Sequence, residues 1–297
     1  MSEKVGKLAL VTGGSRGLGF VAAKRFAQTG FRVILTSRSE ARAEEAATAI
    51  RRELPGAEVQ GLALDLSSLE DVRAFAKRFA TRERALHLLV ANAANMPYTK
   101  KPEVTENGLE KTFATNHLGH FLLVTKLFPS LESAARETGE ARVVVVSSRL
   151  HQPKSIGPGV RFDFGDPNLT HRYHPMVAYK NSKLANLWFT YELNRRVAGS
   201  GVTANALCPG FVPATIADEA RGLRRFRFRH ILSRLPFART PTEATDTYLF
   251  VGAHPSLKNI GGNFFAEGRP IHSSLESYDE DKAAWLWALS EQLVGQA

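Results

Sequence analysis

The chain has 297 residues, of which 43% are hydrophobic and 23% are charged, a composition that gives a globular protein ample apolar material for a core. It contains no run of about 18 apolar residues, so the sequence excludes a membrane-spanning helix. The net charge of +10 is concentrated in residues 221–239, which hold seven arginines and no acid, and we therefore expect no nucleic-acid partner.

The single cysteine, Cys208, excludes an intrachain disulfide and favours a reducing compartment, so we expect a cytoplasmic protein. The N-terminal letters MSEKVGKLAL lack the long apolar region and the small-residue cleavage site of a signal peptide. The spacing of the histidines matches no metal-binding motif, and we expect no metal.

Short apolar runs alternate with helical patterns along the chain, which indicates a parallel sheet covered on both faces. We predict an α/β fold in which residues 1–297 form one Rossmann-type domain with a doubly wound sheet of about seven strands. Ligands of such sheets bind beyond the carboxyl ends of the strands. The predicted strands are 7–12, 31–37, 57–66, 85–94, 141–148, 202–208 and 259–266. The predicted helices are Gly17–Gln28, Glu40–Glu53, 67–80 with Ser67 as its cap, 105–128, 176–197 and 279–294.

A glycine-rich turn, TGGSRGLG, lies between the first strand and the first helix at residues 12–19. Glycines there allow a tight turn and let a pyrophosphate approach the backbone at the N-terminus of the helix. The alternative is an ordinary tight surface turn, which the strand–turn–helix context disfavours. The turn residues that we predict to contact a dinucleotide are Gly13, Ser15, Arg16, Gly17, Leu18 and Gly19.

The end of the second strand predicts which dinucleotide binds. NAD sites usually carry an acid there for the ribose 2′-hydroxyl, whereas this chain has Ser37 and Arg38, with Arg16 in the nearby turn. Two guanidiniums suit a 2′-phosphate, so we predict NADP(H); the alternative is that Arg38 is a solvated surface residue. Two further strand ends supply the predicted cofactor contacts Asp65, Leu66, Asn92 and Ala93. Asp65 could accept from the adenine amino group or cap the following helix.

The motif YKNSK places Tyr179 and Lys183 at positions i and i+4, on one face of a predicted helix. A free tyrosine has a pKa of about 10 and must lose about three units to exchange protons near neutrality. An ammonium about 4 Å away supplies roughly the required 4 kcal/mol at an effective dielectric of ~20. Ser147 and Ser148 end the fifth strand, and Asn116 lies in the long helix, so these polar residues converge on one edge of the sheet.

Six motifs occur in order: TGGSRGLG, ANAA, NHLGHFLL, VVVVSS, YKNSK and CPGFVPAT. Together they resemble the short-chain dehydrogenase/reductase family, from about residue 7 to at least 265. NHLGHFLL, SSRLH, SKLAN and LWALSEQLV resemble the branch of retinol dehydrogenases, WW-domain oxidoreductases and protochlorophyllide reductases. The chain departs from the common N-N-A-G motif at residues 91–94, which read ANAA and put the local hydrogen bonding in question.

The resemblance implies a role for each matching residue. Tyr179 would be the acid or base at the substrate oxygen, and Lys183 would bind the nicotinamide ribose and lower the pKa of the tyrosine. Ser148 would hydrogen-bond the substrate oxygen, and Asn116 would hold a water in a proton relay to Lys183. The nicotinamide end would be lined by Pro209, Gly210, Val212 and Thr215. The resemblance also implies a homodimer or homotetramer formed through the helices that carry Asn116 and Tyr179.

Two segments, about 152–175 and 213–240, are additional to the strand–helix alternation and occupy positions where substrate lids occur. The arginine-rich part, 221–239, could be a solvated lid helix, a flap over a lipophilic substrate, a site for a substrate anion or a peripheral membrane contact. We predict an NADP(H)-dependent oxidoreductase that acts on the carbonyl or alcohol of a lipophilic or polycyclic small molecule. The alternatives are a C=C reductase of similar architecture, a non-catalytic NADP(H)-binding regulator, and a nucleic-acid- or membrane-binding protein.

Overall fold

The structure, a computed structural model, describes residues 6–219 and 226–295 and contains one eight-stranded sheet. The strand order is β3-β2-β1-β4-β5-β6-β7-β8, with every pairing parallel except that of β7 with β8. This order confirms the predicted doubly wound sheet. The strands are β1 Leu8–Val11, β2 Arg32–Ser37, β3 Val59–Ala63, β4 Leu88–Ala91, β5 Ala141–Val146, β6 Val202–Cys208, β7 Phe264–Ala266 and β8 Arg269–Ile271.

Helices cover both faces of the sheet. Every residue of β1, β5 and β6 is buried, as expected for continuous apolar strands packed on two sides. One apolar cluster packs α3, α5, α6 and α9 on one face, and a second packs α1, α2 and α8 on the other. The helices are α1 Gly17–Gln28, α2 Glu40–Glu53, α3 Leu69–Arg82, α4 Lys111–Phe113, α5 Gly119–Thr138, α6 Pro175–Arg196, α7 Pro213–Glu219, α8 Pro241–Ala253 and α9 Glu280–Gly295.

The structure adds an eighth strand to the seven that we predicted. Strand β8 has three residues, one of them Pro270, and is too short to give an alternating pattern in the sequence. Proline is tolerated because β8 lies at the edge of the sheet. The hairpin between β7 and β8 turns at Glu267 and Gly268, whose φ angles are 59° and 67°.

Two helix starts differ from the prediction. The expected helix 105–128 begins only at Lys111, because Val104 and Glu110 form an antiparallel bridge before it. It continues through a π-helical turn, Ala114–Leu118, into α5 and ends at Thr138. The predicted cap of α3 was also wrong, since Ser68 rather than Ser67 accepts the backbone N–H of Asp71.

The C-terminal helix α9 covers the outer faces of α5 and α6. The ring of Trp287 packs against Phe121 and Phe189, with centroid distances of 4.9 and 6.0 Å. A homo-oligomer built on α5 and α6 would therefore have to use the parts of these helices that α9 leaves exposed; the oligomeric state stays a prediction. Within the described residues, none of the helices combines the length and apolarity that crossing a membrane requires.

Candidate active site

The predicted site residues all lie in segments that follow the carboxyl ends of strands, or on the two long helices beside them. Such edges of parallel sheets are the usual ligand sites. The segments after β1, β2, β3, β4 and β6 carry the predicted coenzyme residues, the segment after β5 carries Ser148, the π-helical turn carries Asn116, and α6 carries Tyr179 and Lys183.

The conformation of the turn after β1 requires glycine at three positions, 13, 17 and 19. Gly13 and Gly17 have φ angles of 64° and 56°, in the left-handed region that favours glycine. A Cβ on Gly19 would lie 2.3 Å from the carbonyl oxygen of Gly13 and 2.6 Å from Nδ2 of Asn92. Helix α1 begins directly at Gly17. A bare backbone turn at a helix N-terminus fits a pyrophosphate group, so these residues suit a dinucleotide.

The adenosine end of the site is open to solvent. Ser37 is the last residue of β2 and is half-buried, and Arg38 follows it with an exposed side chain. Arg16 precedes α1 and is also exposed. Neither Ser37 nor Arg38 is an acid, so this end of the site offers no carboxylate at the position where NAD sites use one.

Asp65 and Leu66 follow β3 and lie beside the π-helical turn. Asp65 Oδ1 accepts from the backbone N–H and the hydroxyl of Ser67, at 2.9 and 2.6 Å. This turn precedes the α3 cap, so Asp65 does not itself cap the helix, and its contact with adenine stays a prediction. A Cβ on Gly119 would lie 2.2 Å from the carbonyl oxygen of Leu66, so only glycine lets α5 start this close to the loop.

Asn92 and Ala93 are held by side chains that the sequence did not single out. Thr12 Oγ1 accepts the backbone N–H groups of Asn92 and Ala93, at 2.9 and 3.0 Å. Asn92 Nδ2 donates to the carbonyl oxygen of Thr12 at 2.8 Å, and the buried Tyr248 donates to Asn92 Oδ1 at 2.9 Å. These hydrogen bonds hold the loop in place, although its sequence, ANAA, departs from the common N-N-A-G motif. Tyr248 comes from α8, 156 residues further along the chain, and no local pattern marks it.

Tyr179 and Lys183 lie together on α6, as predicted from their spacing. The Lys183 ammonium lies 5.5 Å from the centroid of the Tyr179 ring. Lys183 is only 2% exposed, and its Nζ donates to the carbonyl oxygen of Val146 at 2.9 Å. Burial lowers the pKa of Lys183 from 10.5 to about 8. The lysine is therefore fixed between the end of β5 and the tyrosine.

Asn116 is fully buried in the π-helical turn, and its side chain is already used by the protein. Its Oδ1 accepts the backbone N–H of Asn95 at 2.6 Å, and its Nδ2 donates to the carbonyl oxygen of Asn95 at 3.0 Å. Nδ2 also donates to Ser182 Oγ at 2.9 Å, and this hydroxyl donates to the carbonyl oxygen of Tyr179 at 2.7 Å. The side chain of Asn116 thus positions α6, and its role in a water relay to Lys183 stays a prediction.

The two serines after β5 have different surroundings. Ser147 is 2% exposed, and its hydroxyl donates to the carbonyl oxygen of Lys183 at 2.7 Å. Ser148 is half-buried, and its hydroxyl accepts the backbone N–H of Leu150 at 3.2 Å. Its carbonyl oxygen accepts from Nδ1 of the buried His151, whose Nε2 accepts the N–H of Ser274 at 3.0 Å. Ser147 is therefore structural, whereas the Ser148 hydroxyl donates to no acceptor among the described residues, and its contact with a substrate oxygen stays a prediction.

The segment after β6 bends back toward the glycine turn. The side chain of Thr215 would lie 3.7 Å from a Cβ on Gly17, so the predicted nicotinamide-end residue reaches the predicted phosphate site. Thr215 Oγ1 donates to the carbonyl oxygen of Val212 at 2.9 Å. Gly210 has a φ of 84°, and a Cβ there would lie 2.9 Å from the Arg239 side chain. Pro209 stands between Gly210 and the end of β6.

Comparisons with known proteins agree with this geometry. Residues 7–158 match the short chain dehydrogenase family. The human WW domain-containing oxidoreductase is 38% identical over 293 residues, which cover 97% of this chain and 68% of that protein. The chain belongs to the short-chain dehydrogenase family. Mouse retinol dehydrogenase 14 is 37% identical over 302 residues, covering 98% of this chain and 86% of that protein.

A solved structure has the same fold over nearly the whole chain. It is an uncharacterized protein from Mycobacterium Paratuberculosis, with a TM-score of 0.74, 32% identity, and coverage of 97% of this chain and 93% of that one. The family and the retinol dehydrogenase-like branch expected from the motifs are thereby confirmed. The chain is an oxidoreductase of a family that binds NAD(P)(H).

The segment 152–175 of this short-chain dehydrogenase is attached to α6. Lys180 Nζ donates to the carbonyl oxygen of Pro158 at 2.8 Å, and the Asn181 side chain makes two hydrogen bonds with the backbone of Arg161. Phe162 packs edge-on against Trp188, with centroids 5.5 Å apart. These contacts secure the segment beside α6, and its role as a lid stays a prediction.

Of the second predicted lid, 213–240, the structure describes all but residues 220–225. The first five residues of the arginine-rich stretch, 221–225, therefore lie outside the described residues. Its far end returns to the sheet, where the N–H of Arg239 donates to the carbonyl oxygen of Phe211 at 2.8 Å. Arg239 also pairs with Glu267 at 3.6 Å. Apolar side chains of this segment remain on the surface, with exposures of 54% for Phe226, 53% for Ile231 and 65% for Phe237.

Proposed function

We propose that this protein is an NADP(H)-dependent oxidoreductase that transfers hydride between the nicotinamide and a carbonyl or alcohol group of a lipophilic or polycyclic substrate, in the cytoplasm. The single observation that carries the proposal is the position of Lys183. A buried ammonium is costly to keep in a core, and this one, tied to the Val146 carbonyl, lies 5.5 Å from the Tyr179 ring, where its charge can lower the pKa of the tyrosine.

Tyr179 is proposed to hold and move the proton at the substrate oxygen. If the 5.5 Å from the Lys183 ammonium to the centroid of the Tyr179 ring is taken as the charge separation, the lysine stabilises a phenolate by about 3 kcal/mol at an effective dielectric of ~20. The pKa of Lys183, about 8, leaves the side chain mainly protonated at neutral pH. Ser148 would orient the same oxygen through its hydroxyl hydrogen, since its oxygen accepts the Leu150 N–H.

The coenzyme would supply the hydride, and the glycine turn at Gly13, Gly17 and Gly19 would hold its pyrophosphate. Arg16 and Arg38 support NADP(H) over NAD(H), because each exposed guanidinium can bind a 2′-phosphate. The position at which NAD sites carry an acid is occupied by Ser37. A tight charge-assisted hydrogen bond contributes about 1.5–3 kcal/mol, or roughly tenfold or more in affinity.

A lipophilic substrate is supported by the exposed Phe226, Ile231 and Phe237 of the predicted lid 213–240 and by the similarity to retinol dehydrogenase 14. Large apolar side chains left on a surface segment commonly mark a binding region. The arginines among them could instead meet an anionic membrane surface, and a membrane contact through 221–239 remains part of the proposal.

The test is turnover of NADPH and NADH with a panel of retinal-like aldehydes, steroid and polyketide ketones, and small carbonyls. Tyr179→Phe should lower kcat by about 10²–10⁴-fold, because general acid–base catalysis contributes that much. The matched control is Tyr191→Phe, another tyrosine on α6, whose hydroxyl bonds Ser273 at 2.8 Å. It should retain kcat within a few-fold.

The remaining outcomes separate the alternatives. NADPH binding without turnover of any carbonyl, but with saturation of an activated alkene, would establish the C=C reductase instead. NADPH binding without turnover of carbonyls or alkenes would favour the non-catalytic regulator. The absence of NADPH binding would overturn the proposal as a whole.

A further inference from the structure

We propose that His120 is a positioning residue that joins the coenzyme loop to the catalytic asparagine. Its imidazole lies between Thr12, which holds Asn92 and Ala93, and the backbone carbonyl of Asn116. The inference rests on the proposed function only for the catalytic half, since its coenzyme half can be measured without a substrate.

The imidazole is enclosed by these two partners. His120 is 1% exposed, its Nε2 lies 2.8 Å from Thr12 Oγ1, and its Nδ1 lies 3.1 Å from the Asn116 carbonyl oxygen. Thr12 comes from the end of β1, and His120 is 108 residues further along the chain, on α5. The two bonds therefore connect separate parts of the site.

The partners determine the tautomer. A carbonyl oxygen only accepts, so Nδ1 must carry the hydrogen that it donates to Asn116. A neutral imidazole then has a bare Nε2, which accepts the hydroxyl hydrogen of Thr12. The chain of donors thus runs from Thr12 through His120 to the carbonyl of Asn116.

The hydroxyl of Thr12 is then fully used. It accepts from the N–H groups of Asn92 and Ala93 and gives its one hydrogen to His120, at a shorter distance than the 3.3 Å to the Val90 carbonyl oxygen. A protonated His120 would direct a third donor at the Thr12 oxygen, whose lone pairs are already taken by the two N–H groups. Burial and the charge of Lys183 lower the pKa of His120 to about 4, which keeps the ring neutral.

Two functional arms follow from this arrangement. On one side, His120 fixes the Thr12 hydroxyl that holds the loop of Asn92 and Ala93, where a coenzyme ribose is expected. On the other, it donates to the carbonyl of Asn116, the residue that the family resemblance expects to hold a water. The sequence marks His120 only as a letter of NHLGHFLL.

Two substitutions separate the arms. His120→Asn places an amide nitrogen near the position of Nδ1, so it can still donate to the Asn116 carbonyl but loses the Thr12 arm. His120→Gln places an amide oxygen near the position of Nε2, so it can still accept from Thr12 but loses the Asn116 arm. His120→Phe removes both. The matched control is His117→Gln, because His117 is equally buried on the same helical stretch but bonds Ser290 Oγ at 2.8 Å.

The expected results follow from the loss of one buried hydrogen bond, about tenfold. His120→Asn should weaken NADPH binding in a calorimetric titration about tenfold and leave kcat within about threefold. His120→Gln should lower kcat about tenfold and leave NADPH binding within about threefold. His120→Phe should show both changes, and His117→Gln neither.

A substrate-independent measurement accompanies the variants. ¹⁵N NMR of the imidazoles at pH 7 should show His120 as the neutral tautomer with hydrogen on Nδ1. The opposite tautomer, a protonated ring, or NADPH binding that is the same in His120→Asn and wild type would each overturn the proposal. If every carbonyl fails as a substrate, the proposed function fails, whereas the tautomer and the NADPH affinities still decide the coenzyme arm.

Discussion

The catalytic end and the adenosine end of the proposed coenzyme site are built differently. Lys183 and Asn116 are at most 2% exposed, and each has protein partners that fix its geometry. Arg16 and Arg38, at the other end, are exposed to water. Buried polar groups are preorganised and costly to disturb, whereas exposed charges contribute little until a ligand arrives. We therefore expect large effects on chemistry at the first end and modest effects on coenzyme choice at the second.

The largest effect should come from Lys183→Met. The substitution removes the charge beside Tyr179 while keeping an apolar side chain of similar length, so kcat should fall about 10²–10⁴-fold at pH 7. Lys180→Met is the matched control, because Lys180 is fully buried on the same helix but bonds the Pro158 carbonyl of the 152–175 segment. A kcat within tenfold of wild type in Lys183→Met would remove the distinction between the two ends.

The buried end should also make the fold sensitive to acid, through His117 in the π-helical turn. Burial lowers the pKa of His117 from 6.5 to about 3, and His120 adds to this shift once its own ring is protonated. Below pH 6.5 the unfolded chain therefore binds a proton at His117 that the folded chain does not, so this contribution to stability is complete above pH 6.5 and is lost as the pH is lowered. For His117 alone the loss is about 1.4 kcal/mol per pH unit, or roughly 3 kcal/mol by pH 4.5.

Urea unfolding at pH 7 and pH 4.5 measures this slope. His117→Phe retains the stacking on Phe113, whose ring lies 5.2 Å away, but cannot titrate, so its loss of stability over this range should be smaller by roughly 3 kcal/mol. Ser290→Ala removes the hydrogen-bond partner and keeps the imidazole, so it should retain the wild-type slope. Equal slopes in His117→Phe and wild type would contradict the buried neutral histidine.

The features that depend on neighbours along the chain could be predicted from sequence. The glycine turn and the Tyr179–Lys183 pair follow from local spacing, and apolar runs gave the seven parallel strands. The position of Arg38 directly after β2 followed from the same reasoning.

Features that depend on distant contacts could not be predicted. Tyr248 reaches Asn92 from 156 residues away, and His120 meets Thr12 from 108 residues away, so neither has a local signature. The cover of α9 over α5 and α6 depends on where Trp287 docks, which its own helical pattern does not specify. Ser68 was missed as the α3 cap because Ser67 beside it is chemically equivalent, and only the backbone geometry distinguishes them.

The exposed end should respond less strongly and only toward one coenzyme. Arg38→Ala should weaken NADPH binding about tenfold and leave NADH binding unchanged, because only NADPH carries the 2′-phosphate. The control is Arg42→Ala, another exposed arginine, in the first turn of α2. Calorimetric titration with both coenzymes gives the ratio. Equal weakening of NADPH and NADH would show that Arg38 does not read the phosphate.

The smallest effect should come from Asp65, whose carboxylate serves both a turn and, by prediction, the adenine ring. Asp65→Ala removes the two hydrogen bonds from Ser67 and should cost about 1 kcal/mol of stability. Because adenine is common to both coenzymes, it should also weaken NADPH and NADH equally, by a few-fold. Ser67→Ala weakens the same turn but leaves the carboxylate, so it should change stability alone. If the two variants bind both coenzymes as wild type does, Asp65 is a turn residue only, and the adenosine end selects its ligand through the arginines.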